Sequence, residues 1–184
     1  FGRGLLEKLE IPPKAQVLDL GCGTGYPLMA LLERMDESSR IIGIDTAPAM
    51  IDIARRRAGA LAGKRVFLKV EDIEHLTFAD EVFDLAVANL VLHDTDDPRR
   101  VLSEVFRVLR PGSGVLGVTR PLAGTFVEFY DLLREAIEVS GSPGVLERLD
   151  EHMTMFPDAT AARQELEAAG FEDVEVEVRR FSLL

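Results

Sequence analysis

The nine residues Val17-Leu18-Asp19-Leu20-Gly21-Cys22-Gly23-Thr24-Gly25 constrain this chain more than any other segment. A short apolar run ends on three glycines at alternate positions, and an amphipathic stretch over residues 27–35 follows. This is the pattern of a buried strand, a tight turn and the first turns of a helix. Glycines there let backbone amides approach a ligand without side-chain clash. The start of the helix adds a partial positive charge. Asp19 lies within the apolar run, and a carboxylate buried there needs a partner, because burying it alone costs several kcal/mol. Turn amides or a bound ammonium group would answer that need.

The same alternation recurs downstream. Gln16–Leu20, Arg40–Asp45, Val66–Val70, residues 83–89 and Val115–Thr119 read as strands, and residues 27–35, 47–61 and 98–109 read as helices between them. Continuous apolar strands alternating with amphipathic helices indicate a parallel sheet covered on both faces. With right-handed crossovers this becomes a doubly wound α/β sheet, whose ligands bind beyond the carboxyl ends of the strands. The last third differs. Residues 123–139 read as a helix, 141–144 as a break, 158–169 as a helix capped by Asp158, and 174–178 as a strand with one wet face.

At 184 residues the chain suits a single domain. Its net charge of -11 opposes a non-specific grip on nucleic acid or on an anionic membrane. Arg55, Arg56 and Arg57 read as the solvated face of a helix. The sequence holds no apolar run long enough to span a bilayer and no charged-then-apolar leader. It begins at Phe1, as a piece of a longer protein would. The lone Cys22 cannot form an internal disulfide, and a reducing cytoplasm is its simplest reading. His75 and His152 lack partners at ligand spacing, so no metal site is expected.

A glycine loop alone is weak evidence, because dinucleotide folds carry the related G-x-G-x-x-G. Here the pattern is G-x-G-x-G, with Tyr26 and Pro27 where the dinucleotide spacing needs its last glycine. Four further segments add to it: Gly43-Ile44-Asp45, Val70-Glu71-Asp72-Ile73, Asn89-Leu90-Val91-Leu92-His93-Asp94 and Leu109-Arg110-Pro111-Gly112-Ser113-Gly114. Together they resemble the class I S-adenosylmethionine-dependent methyltransferases, most closely the type 11, ubiquinone/menaquinone-biosynthesis-like branch. The resemblance covers residues 16–119 well and the rest loosely. It implies a Rossmann-like, mostly parallel sheet with helices on both faces, on a seven-stranded plan whose last strand is missing here. It implies S-adenosyl-L-methionine as cofactor. Asp19, Gly21, Cys22, Gly23 and Gly25 would surround the methionine part, and Asp45 would accept from the ribose hydroxyls. Thr46 and Met50 would flank the adenine, Asp72 and Ile73 would bind its edge and face, and Asn89 would lie near the methionine amino group. Residues 1–120 would form the cofactor half, 121–157 a substrate cap, and 158–184 a closing helix and strand.

Methyl transfer is an in-line displacement, in which the protein mainly aligns the reactants and excludes water. For a phenol or alcohol, His93, or failing it Asp94, would take the proton; the alternative is that His93 is a structural or rim residue. Phe126, Phe129, Tyr130, Met153, Met155 and Phe156 suggest a small-molecule acceptor with an apolar or aromatic part, or else ordinary helix packing. Two other functions stay open at this point, a non-catalytic binding module of the same fold and a nicotinamide-dependent oxidoreductase.

Overall fold

A computed structural model describes residues 2–141 and 143–180. The chain divides into two compact units, Phe1–Arg120 and Pro121–Leu184.

In the first unit, α1 (Gly2–Lys8) precedes β1 (Gln16–Leu20), α2 (Leu28–Arg34), β2 (Arg40–Asp45), α3 (Pro48–Ala58), β3 (Val66–Val70), β4 (Leu85–Asn89), α4 (Pro98–Val108) and β5 (Val115–Thr119). The five strands are all parallel, in the order β3-β2-β1-β4-β5. Strand order reverses beside β1, so the turn after β1 opens at the crevice where such sheets bind ligands. β1 and β4 are central, and Val17, Leu18, Leu20, Leu85, Ala86 and Val87 have no exposed surface. β3 and β5 are edges and leave Phe67, Val70 and Val115 partly in solvent.

Side chains alternate across each strand, and the two faces bury different partners. One face carries Val17, Ile41, Val66, Leu85 and Val87, packed with Leu6 and Leu9 near α1, Leu28, Leu31 and Leu32 of α2, and Ile51 and Ala58 of α3. By the same alternation Asp19 shares that face. Its register neighbours are Gly43 of β2 and Val87 of β4. A Cβ at Gly43 would stand 2.4 Å from a Leu28 methyl carbon and 3.0 Å from Cys22 Sγ, so only glycine lets α2 pack this close. The amphipathic α4 presents Val101, Leu102, Val105 and Val108 as one buried stripe. Each such side chain contributes about 1.5–3 kcal/mol through removal from water.

Several boundaries differ from the sequence reading. Pro27 stands at the N-cap of α2 rather than inside its first turn. The 47–61 helix ends as α-helix at Ala58, because Gly59 takes φ 53°, and Gly59–Leu61 forms a 3-10 turn. Residues 83 and 84 fall outside β4: Phe83 makes an isolated bridge to Leu109, while Asp84 accepts from the Gln16 amide at 2.7 Å and pairs with Arg110. Five strands are present among the described residues, against the seven of the family plan.

The second unit contains α5 (Val127–Ser140), α6 (Pro143–Thr154) and α7 (Ala159–Ala168). α5 starts at Val127 rather than near 123, because Phe126 adopts left-handed φ 59° and cannot continue a helix backwards. The break at 141–144 is shorter than its glycines suggest, since Gly144 lies inside α6. Asp158 caps α7 by accepting from the Ala161 amide at 2.8 Å. Residues 174–178 form no strand. Their apolar-charged alternation is compatible with one, but a strand exists only where a neighbouring backbone completes its ladder.

Candidate cofactor and methyl-transfer site

The carboxyl ends of β1, β2 and β4, with the loop after β3, bring the sequence-distant candidates onto one side of the sheet. Gly21 takes φ 63°, and a Cβ there would stand 2.4 Å from a Val91 methyl carbon, so any other residue would be both strained and crowded by the segment after β4. Gly23, by contrast, has open space where a side chain would stand.

Asp45 ties the turn to the sheet. One carboxylate oxygen accepts from the Gly23 amide at 2.9 Å, and the other accepts from the Ala47 amide at 2.9 Å. Two segments twenty-two residues apart are therefore held by one acidic side chain, which keeps further lone pairs for a donor outside. The exposed Arg57 of α3 braces the same turn, donating to the Thr24 carbonyl at 2.9 Å and to Thr24 Oγ1 at 3.0 Å. Thr46 and Met50 stand exposed on the loop after β2 and the first turn of α3.

Asp19 has no exposed surface, and neither carboxylate oxygen has a hydrogen-bond partner within ordinary geometry. Burial pushes its pKa up to about 8, the Leu28 backbone amide pulls the other way, and the Asp45 charge adds to the rise. Cys22 differs from the other loop candidates. Its side chain is buried in the core, and its amide donates to the Ile44 carbonyl at 2.9 Å. Burial, with the charges of Asp19 and Asp45, pushes the thiol up to about 12. It is an inert packing residue at neutral pH, and only its backbone belongs to the turn.

After β3, Ile73 is buried while Asp72 is exposed. Asp72 accepts from the Glu74 amide at 2.9 Å and faces His75 Nδ1 at 3.2 Å; the Glu74 amide and then His75 hold its carboxyl below the usual range. Glu71 beside it is buried. Desolvation works against its charge, but the Lys69 ion pair at 2.7 Å and the Thr77 amide at 2.6 Å win, and its pKa is lowered.

At the end of β4, Asn89 Oδ1 accepts from Thr119 Oγ1 at 2.8 Å, across the register pair that joins β4 to β5. Leu90 then takes φ 56°, a left-handed conformation that costs an L-residue energy and is held by the Leu90 amide donating to the Thr119 carbonyl at 3.0 Å. That reversal aims the chain into a 3-10 turn, Leu92–Asp94, carrying His93, whose side chain is about one quarter exposed, with Nε2 3.7 Å from Asp94 Oδ1.

Thr119, Glu74, His75 and the brace from Arg57 were missed from sequence. Thr119 meets Asn89 through the register of β5 on β4, which the sequence does not give. Glu74 and Arg57 reach distant segments that no local pattern announces, whereas His75 faces Asp72 three residues before it. Among the described residues no group of three or more His, Cys, Asp or Glu side chains is gathered for a metal ion, and no helix is long and apolar enough to cross a membrane.

The arrangement fits S-adenosylmethionine. It offers an unpartnered buried carboxylate on the sheet, open space at Gly23, and the Asp45 and Asp72 carboxylates at the ends of successive strands. When bound, that cofactor supplies a methyl group already activated on a sulfonium. The chain's own residues need only orient the two partners and keep water out.

Comparison with known proteins agrees. The profile of a family described as a methyltransferase domain matches residues 11–137. The chain is 30% identical over 176 residues to a demethylmenaquinone methyltransferase of Lactobacillus johnsonii, covering 91% of this chain and 72% of that one. Among solved structures, a SAM-dependent methyltransferase from Aquifex aeolicus shares the fold, with a TM-score of 0.68 at 20% identity over 92% of this chain and 78% of that one. The [4+2]-cyclase SpnF is 32% identical, with a TM-score of 0.58 over 65% of this chain and 43% of that one. The chain therefore belongs to the methyltransferase domain family, as a Rossmann-like, S-adenosylmethionine-dependent methyltransferase of the ubiquinone/menaquinone-type branch.

Proposed function

We propose that this enzyme methylates a small acceptor carrying an aromatic or apolar ring, in a reducing cytoplasm. In this reading the cofactor is held by Asp19, the turn Gly21 to Gly25, Asp45, Thr46, Met50, Asp72, Ile73 and Asn89. The observation that carries it is the Asp45 link: one carboxylate joins the glycine turn to the end of β2 above the buried, unpartnered Asp19. Residues 121–157 would recognise the acceptor. They hold a chain of ring contacts from Phe129 to Tyr130, His152 and Phe156, with the Tyr130 hydroxyl 3.2 Å from His152 Nε2. The similar Lactobacillus enzyme is named for a quinone, an acceptor of this kind. For a hydroxylated acceptor His93 would take the proton, and full turnover by a His93→Gln variant would remove that role.

The likeness to a cyclase supports a second reading, in which the same cofactor site serves a different reaction. Calorimetric titration of S-adenosylhomocysteine, with NADH and NADPH as controls, is the first test. Micromolar binding, weakened at least tenfold in Asp45→Ala, is expected from the loss of charge-assisted hydrogen bonds. Binding of a nicotinamide cofactor instead would overturn the cofactor assignment. Transfer of labelled methyl to a demethylated naphthoquinol separates methyltransfer from the cyclase-like reading.

A further inference from the structure

Glu74 is fastened at three points. Its amide donates to Asp72 Oδ1 at 2.9 Å, its carbonyl accepts from Arg100 Nε at 2.9 Å, and its carboxylate Oε1 accepts from the amides of Asp96 and Asp97 at 2.8 and 3.1 Å. Asp97 in turn caps α4, and Thr95 Oγ1 donates to the Leu92 carbonyl at 2.9 Å. One residue thus joins the loop after β3, which carries Asp72 and Ile73, to the segment after β4, which carries His93. These loops leave strands that are not neighbours, since β2 and β1 lie between β3 and β4. The two loops are therefore not joined by direct strand pairing. Glu104 and Arg107 of α4 hold the loop after β3 at the Leu76 amide and the Leu76 and Phe78 carbonyls, and the Glu74 carboxylate is the contact that reaches the Asp96 and Asp97 amides. A carboxylate accepting two amides does so at a defined separation, because both bonds converge on one oxygen.

We propose that Glu74 is a positioning residue that sets the adenine-side carboxylate Asp72 and the His93 segment relative to each other, so that cofactor affinity depends on a side chain that does not touch the cofactor. The inference rests on the assignment of Asp72 to the adenine edge. Glutamine at this position keeps an acceptor oxygen for the two amides, whereas alanine removes it.

Two measurements on the full chain test this, S-adenosylhomocysteine affinity and backbone amide exchange. Glu74→Ala should bind about tenfold more weakly, Glu74→Gln should bind within about twofold of wild type, and Asp72→Ala combined with Glu74→Ala should lose much less than the product of the single losses. In the free wild-type chain the Asp96 and Asp97 amides should exchange slowly; they should exchange fast in Glu74→Ala and slowly in Glu74→Gln. Equal affinity in wild type and Glu74→Ala, or independent losses in the double variant, would overturn the proposal while leaving the cofactor site standing. Should Glu74→Ala fail to fold, a tenfold loss in Glu74→Gln with its melting temperature unchanged would overturn it too. If the wild type binds no S-adenosylhomocysteine while its fold is intact, the assignment of Asp72 fails and this inference fails with it.

Discussion

At the scale of single residues, Asp19 has the largest pH consequence. Its folded pKa of about 8 lies far above the ordinary 3.8. Between those values the native chain holds a proton that the unfolded chain has lost, so stability falls as pH rises across that window. The slope reaches at most about 1.4 kcal/mol per pH unit. Asp19→Asn removes this titration. Urea unfolding at pH 5, 6.5 and 8 should show a flatter profile, with the variant gaining on wild type as pH rises; parallel profiles would show that the carboxyl is paired in solution. The same variant should bind S-adenosylhomocysteine more weakly, because a carboxyl can ionise against a bound ammonium and an amide cannot. A buried carboxyl of this kind is costly for the fold, and such groups cluster at functional sites. Its presence was legible from one acidic letter in an apolar strand. Its lack of a hydrogen-bond partner was not, since that depends on where α2 begins relative to the strand.

At the scale of elements, the cap of α4 and the loop after β3 hold each other in place. Asp97 accepts from the Arg99 and Arg100 amides at 3.1 and 3.2 Å, satisfying donors that the start of a helix leaves open. Asp97→Ala should cost about 1 kcal/mol of stability, read as a lower urea midpoint with an unchanged slope. No loss would show that water caps the helix equally well. The strands and the apolar stripe of α4 were readable from periodicity, because burial on a pleated sheet and on a helix imposes fixed repeats of two and 3.6. The failures fell where periodicity says little. The left-handed backbone of Phe126 delays α5, and Gly59 turns the end of α3 into a 3-10 turn. Residues 174–178 have the alternation of a strand but pair with no strand among the described residues.

At the scale of the whole molecule, ligand and fold are thermodynamically linked. A ligand that binds only the native chain stabilises it by RT ln(1 + [L]/Kd), or about 2.7 kcal/mol at one hundred times Kd. Saturating S-adenosylhomocysteine should therefore raise the melting temperature by several degrees, and Asp45→Ala should abolish most of that rise at the same concentration. An unchanged melting temperature in the wild type would argue against the cofactor site as drawn.

Local chemistry determined much of this protein from the sequence alone. The parallel sheet follows from unbroken apolar strands between amphipathic helices, and the glycine turn follows from Gly21, Gly23 and Gly25 after an apolar strand that carries Asp19. Each of those signals lies within a few consecutive residues, where sterics and burial act directly. The tertiary structure decided which distant residues meet. It placed the Cys22 side chain in the core, gave the Gly23 amide to Asp45, set Thr119 against Asn89, and fastened the two loops through Glu74. Those contacts join segments tens of residues apart, and their geometry exists only once the sheet has brought the strand ends together.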